Sequence, residues 1–185
     1  MSSQNGFLPR PATPEALLFY PKIVAIYDIT YIFANKYIKA GDRTRDQMIQ
    51  AARSGKQNIV EGAADGMTSK KMEITLTNCA RGSLKELQTD YEDYLRTRNL
   101  NTWTLSHPRT PRLKAFCRDL KNPEHYTDTW KKLSDEEAAN LALMLIHQSV
   151  SLIEGYLKML EKRFLAEGGI SETMTRARLA HRQSQ

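Results

Sequence analysis

Residue types that carry out catalysis are scattered along this sequence. The histidines fall in three separate stretches: His107, His125, His147 and His181. No HExxH motif, Glu-x-x-His pair or phosphate-binding glycine loop is present, so zinc, di-iron and nucleotide-phosphate sites lack their usual groups. Ser54 and Ser151 have no histidine and carboxylate that the sequence places beside them. The sequence therefore predicts a protein that is not an enzyme and that binds no metal or cofactor.

Basic side chains are the more informative group. The chain of 185 residues has 27 Lys and Arg against 21 Asp and Glu, a net charge of +6, which permits anionic partners without requiring them. Contacts to phosphates need only cations clustered on a rigid frame, and each contact steepens the dependence of binding on salt. The candidate nucleic-acid-binding residues are Arg43, Arg45, Arg53, Lys56, Lys114, Arg118, Lys121, Arg178 and Arg182.

Other polar residues are interpreted as structural. An interhelical polar network that fixes the register of two helices is favoured over a ligand site for Asn58, Glu61, Arg81, Ser83 and Glu86. His147 lies in a largely apolar helical pattern and is predicted to be a hydrogen-bonded core residue. Cys79 and Cys117 have no metal-ligand spacing and are predicted to be buried, reduced thiols.

The elements that position these residues are helices, because apolar residues recur every three or four positions. The second and third helices form a hairpin with a turn at Asp65–Gly66. Asp42 or Thr44 caps the second helix, which ends near residue 64, and the third runs from 68 to about 98. Glycine inside a helix costs about 1 kcal/mol relative to alanine, so the interior glycines of this hairpin predict the close approach of another backbone.

The apolar spacing also predicts which face of each hairpin helix points inward. In the second helix the inward residues are Met48, Ala52, Gly55, Ile59 and Ala63. In the third helix they are Met72, Leu76, Cys79, Ser83, Leu87, Tyr91 and Tyr94.

The first and fourth helices carry more apolar surface than one bundle interior needs. The first is predicted to begin at Pro14, with Thr13 as its N-cap, and to run to about residue 40. The fourth begins at Ser134, in a capping box with Glu137, and ends near residue 167 at two glycines. Each helix shows two neighbouring apolar stripes. We expect the second stripe to contact another subunit.

These elements predict an all-α protein, an antiparallel up-down-up-down four-helix bundle at residues 15–169. Residues 1–14 are predicted to be an extended arm, and 170–185 a basic C-terminal tail. Residues 99–134 form an insertion with a short helix at 111–121, for which a solvated helix on the bundle end is favoured slightly over an interaction surface. Charged and polar residues interrupt the longest apolar run, at 141–160, and the N-terminus has no signal-peptide pattern. We therefore expect no membrane association and a cytoplasmic location.

The central hairpin resembles a known family. The pattern QAARSGKQNIVEGAADG followed by NCARGSLKELQTDY resembles the four-helix-bundle proteins of 23S rRNA intervening sequences. That family is similar in fold to the accessory variability determinant of diversity-generating retroelements. The first and fourth helices match more loosely, and the short family members lack both the insertion and the tail. The matching residues are Ala52, Ser54, Asn58, Ile59, Glu61, Gly62, Ala80, Arg81, Gly82, Ser83, Leu84, Glu86 and Leu87.

The resemblance implies a cytoplasmic bacterial protein that assembles as a homopentamer. For the accessory proteins it further implies binding of nucleic acid, RNA or DNA, and of a reverse transcriptase. Our first hypothesis is therefore a non-enzymatic, oligomeric nucleic-acid-binding accessory protein in which copies pool their positive charge. The alternative is a protein-interaction scaffold that binds no nucleic acid, and charge reversal at Lys114, Arg118 and Lys121 distinguishes the two.

Overall fold

The computed structural model describes residues 13–66 and 69–183, and over those residues the chain is helical and contains no strand. The prediction of an all-α protein is confirmed. Two short 3₁₀ turns, Pro14–Ala16 and Pro123–Tyr126, accompany the α-helices. Those helices are α1 (Tyr20–Tyr37), α2 (Arg43–Asp65), α3 (Lys70–Thr97), α4 (Thr110–Asp119), α5 (Thr127–Trp130), α6 (Asp135–Glu167) and α7 (Ile170–Gln183). Nearly all of the predicted extended arm, 1–14, lies outside the described residues.

The four long helices enclose the core. Helix α2 packs on α1 and α3, and α6 packs on the same two helices. Their facing side chains form one cluster that includes Ile23, Phe33, Leu84 and Ile146. Within it the Tyr91 hydroxyl donates to Thr30 Oγ1 over 3.0 Å, so the buried phenol has a partner. None of the helices described for this chain has both the length and the apolar character needed to cross a membrane.

Close packing of α2 on α3 explains two of the three hairpin glycines. A Cβ at Gly55 would lie 3.2 Å from Leu84 Cδ2 and 3.8 Å from the Ala80 carbonyl oxygen. A Cβ at Gly62 would lie 3.3 Å from Leu76 Cβ. The prediction of a close approach is confirmed at these positions. It is wrong for Gly82, where a Cβ would meet no described atom within 4 Å.

Three predicted helix starts are confirmed by side-chain caps. Asp42 Oδ1 accepts from the Thr44 amide, and Ser69 Oγ accepts from the Met72 amide. Ser134 forms the predicted capping box with Glu137. At the other end of α6, Gly168 has φ +72°, a value that glycine adopts without strain.

The predicted start of the first helix is wrong. Thr13 makes no side-chain cap, and the residues that follow it form only the 3₁₀ turn. The α-helix begins at Tyr20, with Pro21 in its first turn, because proline is compatible with the first turn of a helix but not with its interior. The helix also ends three residues early, at Tyr37.

The inward face of α2 is confirmed, whereas that of α3 is displaced by one residue in its first half. Every residue predicted to face inward from α2 is buried. In α3, Met72 and Cys79 are exposed, and the buried positions are Glu73, Thr77, Ala80 and Leu84. Glu73 can occupy the interior because its Oε1 accepts from the Tyr156 hydroxyl over 2.5 Å. From Leu87 to Tyr94 the prediction holds.

The insertion between α3 and α6 is attached to the start of α6 by hydrogen bonds. Trp103 Nε1 donates to Glu136 Oε1 over 2.9 Å, and the Trp103 amide donates to Asn140 Oδ1 over 2.7 Å. The insertion also supplies core residues, since Cys117, Leu120 and Trp130 are buried. It is therefore part of the folded unit and more than a solvated helix.

Candidate nucleic-acid interface

The predicted basic residues lie in three places. On α2, Arg43 and Arg53 are exposed, and Arg45 and Lys56 are half-buried. The second set, on or beside α4, is exposed and surrounds a cleft: Lys114, Arg118 and Lys121. The third set is exposed on α7: Arg178 and Arg182.

The α2 residues combine with aromatic rings of α1. Arg53 and Lys56 are three positions apart and are neighbours on the surface of α2. Arg45 is eight positions before Arg53, so it lies about two turns away on the same side of the helix. The Lys56 ammonium lies 3.9 Å from the centroid of the Tyr27 ring, within the range of a cation–π contact. The Tyr31 ring is 6.4 Å from that of Tyr27. We call these five residues the α1–α2 face.

Tyr31 is the accessible ring of the α1–α2 face. It is 52% exposed, so it can stack on a planar group such as a base. Arg45 Nε is buried and has no hydrogen-bond partner among the described residues. Because this atom is closed off from solvent, a phosphate would contact Arg45 at the terminal nitrogens of its guanidinium group.

A carboxylate moderates the charge of this face. Asp28 of α1 is half-buried, and burial raises its pKa while the nearby Lys56 cation opposes that rise. Lys56 is therefore balanced in part within the chain. Arg45 and Arg53 have no described ion pair in the chain.

The second basic set borders a cleft of about 1080 Å³ between the first 3₁₀ turn, α4 and α6, which we call the α4–α6 cleft. Its apolar lining includes Leu17, Leu18, Leu120, Met144 and Leu152. His147 also lines the cleft and is exposed. The prediction that His147 is a core residue is therefore wrong; α6 turns this position outward.

Lys22 is a buried cation that the sequence interpretation missed. Only 4% exposed, it donates from Nζ to the carbonyl oxygens of Cys117 over 2.5 Å and of Arg118 over 2.9 Å. Burial lowers the pKa of this amine. A cation at the end of α4 is favourable for the helix dipole and holds α4 on α1. The available signal was the position of Lys22 within the apolar pattern Phe19, Ile23, Ile26.

The predicted polar network is only partly assembled. Ser54, which was not predicted as a member, joins two residues that were: its Oγ is 3.3 Å from Asn58 Nδ2 and 3.3 Å from Ser83 Oγ. Arg81 approaches Glu154 of α6 instead, at 3.7 Å. The remaining predicted members are exposed: Glu61 and Glu86.

The cysteines differ from each other. Cys117 is buried as predicted, and burial raises the pKa of its thiol to about 12. Cys79 is exposed, which contradicts the prediction and follows from the displaced inward face of α3. The described part of the chain contains no group of three or more His, Cys, Asp or Glu side chains that could hold a metal ion.

Comparison with known proteins adds no relative: no family model, no curated protein and no solved structure matches this chain.

Proposed function

We propose that this chain is a non-enzymatic nucleic-acid-binding accessory protein that contacts single-stranded RNA or DNA through the α1–α2 face. The observation that carries the proposal is the combination on that face of Tyr27 and Tyr31 with Arg45, Arg53 and Lys56. Proteins that bind single strands combine cations for the phosphates with aromatic rings for the bases, and each stacked base contributes about 1–3 kcal/mol. Such binding has little sequence preference.

The proposed architecture is an antiparallel up-down-up-down four-helix bundle in a cytoplasmic homo-oligomer. Exposed apolar side chains on α6, including Met159 and Leu165, supply surface for contacts between copies. Oligomerisation multiplies the +6 charge of one chain into a stronger positive field. The family resemblance makes the proposal more specific: the oligomer is a homopentamer, and it assists a reverse transcriptase.

Salt-dependent RNA binding tests the proposal. Fluorescence anisotropy with a labelled single-stranded RNA of about 20 nucleotides is measured from roughly 50 to 300 mM salt for the wild type and for R53Q/K56Q. Each phosphate contact contributes about −0.7 to the slope of log K against log salt. The double variant is therefore expected to make that slope shallower by up to about 1.4 per chain engaged, and by less where Asp28 already balances part of the Lys56 charge. The control K71Q/K132Q removes equal charge from exposed positions outside the face.

The result that contradicts the proposal is an equal effect of the two double variants, or affinity that does not change with salt. The aromatic contribution is measured separately with Tyr31→Ala, which is expected to weaken binding about fivefold or more through lost stacking. Leu105→Ala truncates another exposed side chain and is expected to leave the affinity unchanged.

A further inference from the structure

The α4–α6 cleft is larger than a typical small-molecule pocket. Its volume of about 1080 Å³ exceeds the upper end of the range of about 300–1,000 Å³ found for small-molecule pockets. Three helical elements form its walls: the 3₁₀ turn with the start of α1, the outer side of α4, and the middle of α6. The opening therefore runs between helices, an arrangement that accepts another helix.

The apolar side chains that line the cleft are accessible. Leu18 is 84% exposed and Leu152 is 38% exposed, and Leu17 and Met144 are half-buried. Burial of such side chains by a partner is favourable at about 25 cal/mol per Å². Apart from His147, the lining contains no aromatic ring, so the cleft lacks the stacking surface that a single-stranded nucleic acid uses.

The charge at the edge of the cleft is one-sided. Lys114 and Lys121 are exposed on the α4 side, and neither has an ion pair in the described part of the chain. Arg118 lies between them and is paired with Asp119 at 2.8 Å. The opposite wall contributes Glu15. A ligand with carboxylates along its α4 edge complements this distribution.

We infer that the α4–α6 cleft binds an acidic amphipathic helix of a partner protein, with leucine-like side chains against the apolar lining and carboxylates beside Lys114 and Lys121. Helices that bind in grooves use apolar residues at i, i+3, i+4 and i+7, which matches the helical walls. The described residues contain no sheet edge on which an extended peptide could pair.

The two terminal segments of the chain do not have this charge. Helix α7 carries Arg176, Arg178 and Arg182 against Glu172, and residues 1–12 contain Arg10 and no carboxylate. The cleft shares no residue with the α1–α2 face, so separate variants can alter the two surfaces one at a time.

A displayed library of amphipathic helices of about 16 residues tests this inference on the intact protein. The apolar positions are fixed as leucine, and the remaining positions are drawn from Glu, Lys, Gln and Ala. Selection on the wild-type chain is expected to enrich Glu along one edge of the polar face. Selection with no enrichment over the starting library, or with enrichment of Lys, would overturn the inference.

The most enriched peptide is then measured by fluorescence anisotropy against matched variants. K114E/K121E is expected to weaken binding at least about tenfold, since two favourable ion pairs become repulsive. Leu18→Ser is expected to weaken binding severalfold through lost apolar contact, and its high exposure makes the substitution safe for folding. K71E/K132E has the same net charge as K114E/K121E and is expected to bind as the wild type does.

Three results would overturn the assignment. The first is equal weakening by both charge-reversal variants, which would show a response to net charge alone. The second is loss of RNA binding in K114E/K121E with peptide binding unchanged, which would assign the cleft to nucleic acid. The third is self-association of the wild type that K114E/K121E abolishes, with no peptide bound, which would make a second copy the occupant. Melting followed by circular dichroism confirms that each variant is folded.

Discussion

Replacing Lys22 with methionine tests how the insertion is held on the bundle. The substitution keeps the length of the side chain and removes the amine that donates to the carbonyl oxygens of Cys117 and Arg118. A hydrogen bond to a charged group contributes about 1.5–3 kcal/mol net, so the two bonds set an upper limit of about 3–6 kcal/mol. Loss of the amine also removes the cost of burying it, a cost that the lowered pKa of Lys22 reveals. We expect a net loss of about 2 kcal/mol.

Urea denaturation measures this loss directly. With a slope of about 2 kcal/mol per molar urea, the midpoint of Lys22→Met is expected to fall by about 1 M. Lys39→Met, at an exposed position, is the matched control and is expected to change the midpoint little. Amide hydrogen exchange is expected to speed up most in α4, whose end loses its bound cation.

Equal midpoints for Lys22→Met and Lys39→Met would refute this reasoning. So would a destabilised Lys22→Met chain in which exchange in α4 is no faster than in the wild type, because the amine would then not be holding that helix. Lys22→Met is also expected to weaken binding of the helical peptide selected for the α4–α6 cleft, since α4 forms one wall of that cleft.

Three further predictions concern α3 and its neighbours. Burial and two nearby carboxylates raise the pKa of Asp90 to about 6; the native state therefore binds more protons than the unfolded state between about pH 4 and 6 and loses stability as the pH rises through that range. The raised pKa corresponds to an upper limit of about 3 kcal/mol, which solvent screening of this half-buried group reduces to about 1 kcal/mol. Asp90→Asn is therefore expected to stabilise the chain by about 1 kcal/mol at pH 7 and by nothing near pH 3. Equal effects at both pH values in urea titrations would contradict this. Gly82→Ala is expected to raise the free energy of unfolding by about 0.5–1 kcal/mol because the added Cβ meets open space. Gly62→Ala is expected to gain no stability, since its Cβ would lie 3.3 Å from Leu76 Cβ. Stabilisation of both variants by the same amount would count against the close packing of α2 on α3. With a thiol reagent at neutral pH, Cys79 is expected to react rapidly and Cys117 only after unfolding, a difference that the substitutions Cys79→Ser and Cys117→Ser resolve.

Features of this fold that depend on local chemistry were predictable from the sequence. A capping box needs only Ser134 and Glu137, three positions apart, and the inward face of α2 follows from apolar and small residues that recur every three or four positions. The interior glycines were interpreted correctly at Gly55 and Gly62, where another helix is in contact. Gly82 has the same sequence context but faces outward.

Features that depend on contacts between distant residues were not predictable. Lys22 is buried because two carbonyl oxygens about a hundred positions later accept hydrogen bonds from its ammonium group. Glu73 is buried because the Tyr156 hydroxyl donates a hydrogen bond to it. A prediction that allows only apolar residues in the core therefore places the inward face of α3 one residue away from its position in the structure. The wrong prediction for His147 has a related cause. Helix α6 has two apolar stripes, and the sequence does not show which residues at the edges of those stripes face solvent.

For the candidate interface, the sequence predicted the basic residues but not the tyrosines that accompany them. Tyr27 and Tyr31 belong to an apolar stripe of the first helix. The contact of Tyr27 with Lys56 appears only once α1 and α2 are packed together. The apolar cleft beside Lys114 likewise requires the positions of three separate segments.

Ultraviolet cross-linking of the wild-type chain to a single-stranded RNA that contains 4-thiouridine, followed by mass spectrometry of the peptides, tests the central claim most directly. The α1–α2 face predicts nucleotide adducts on the peptide that contains Tyr27 and Tyr31, diminished in R53Q/K56Q and retained in K71Q/K132Q. Adducts confined to peptides of α4 or α7, or no adducts at low salt, would contradict it.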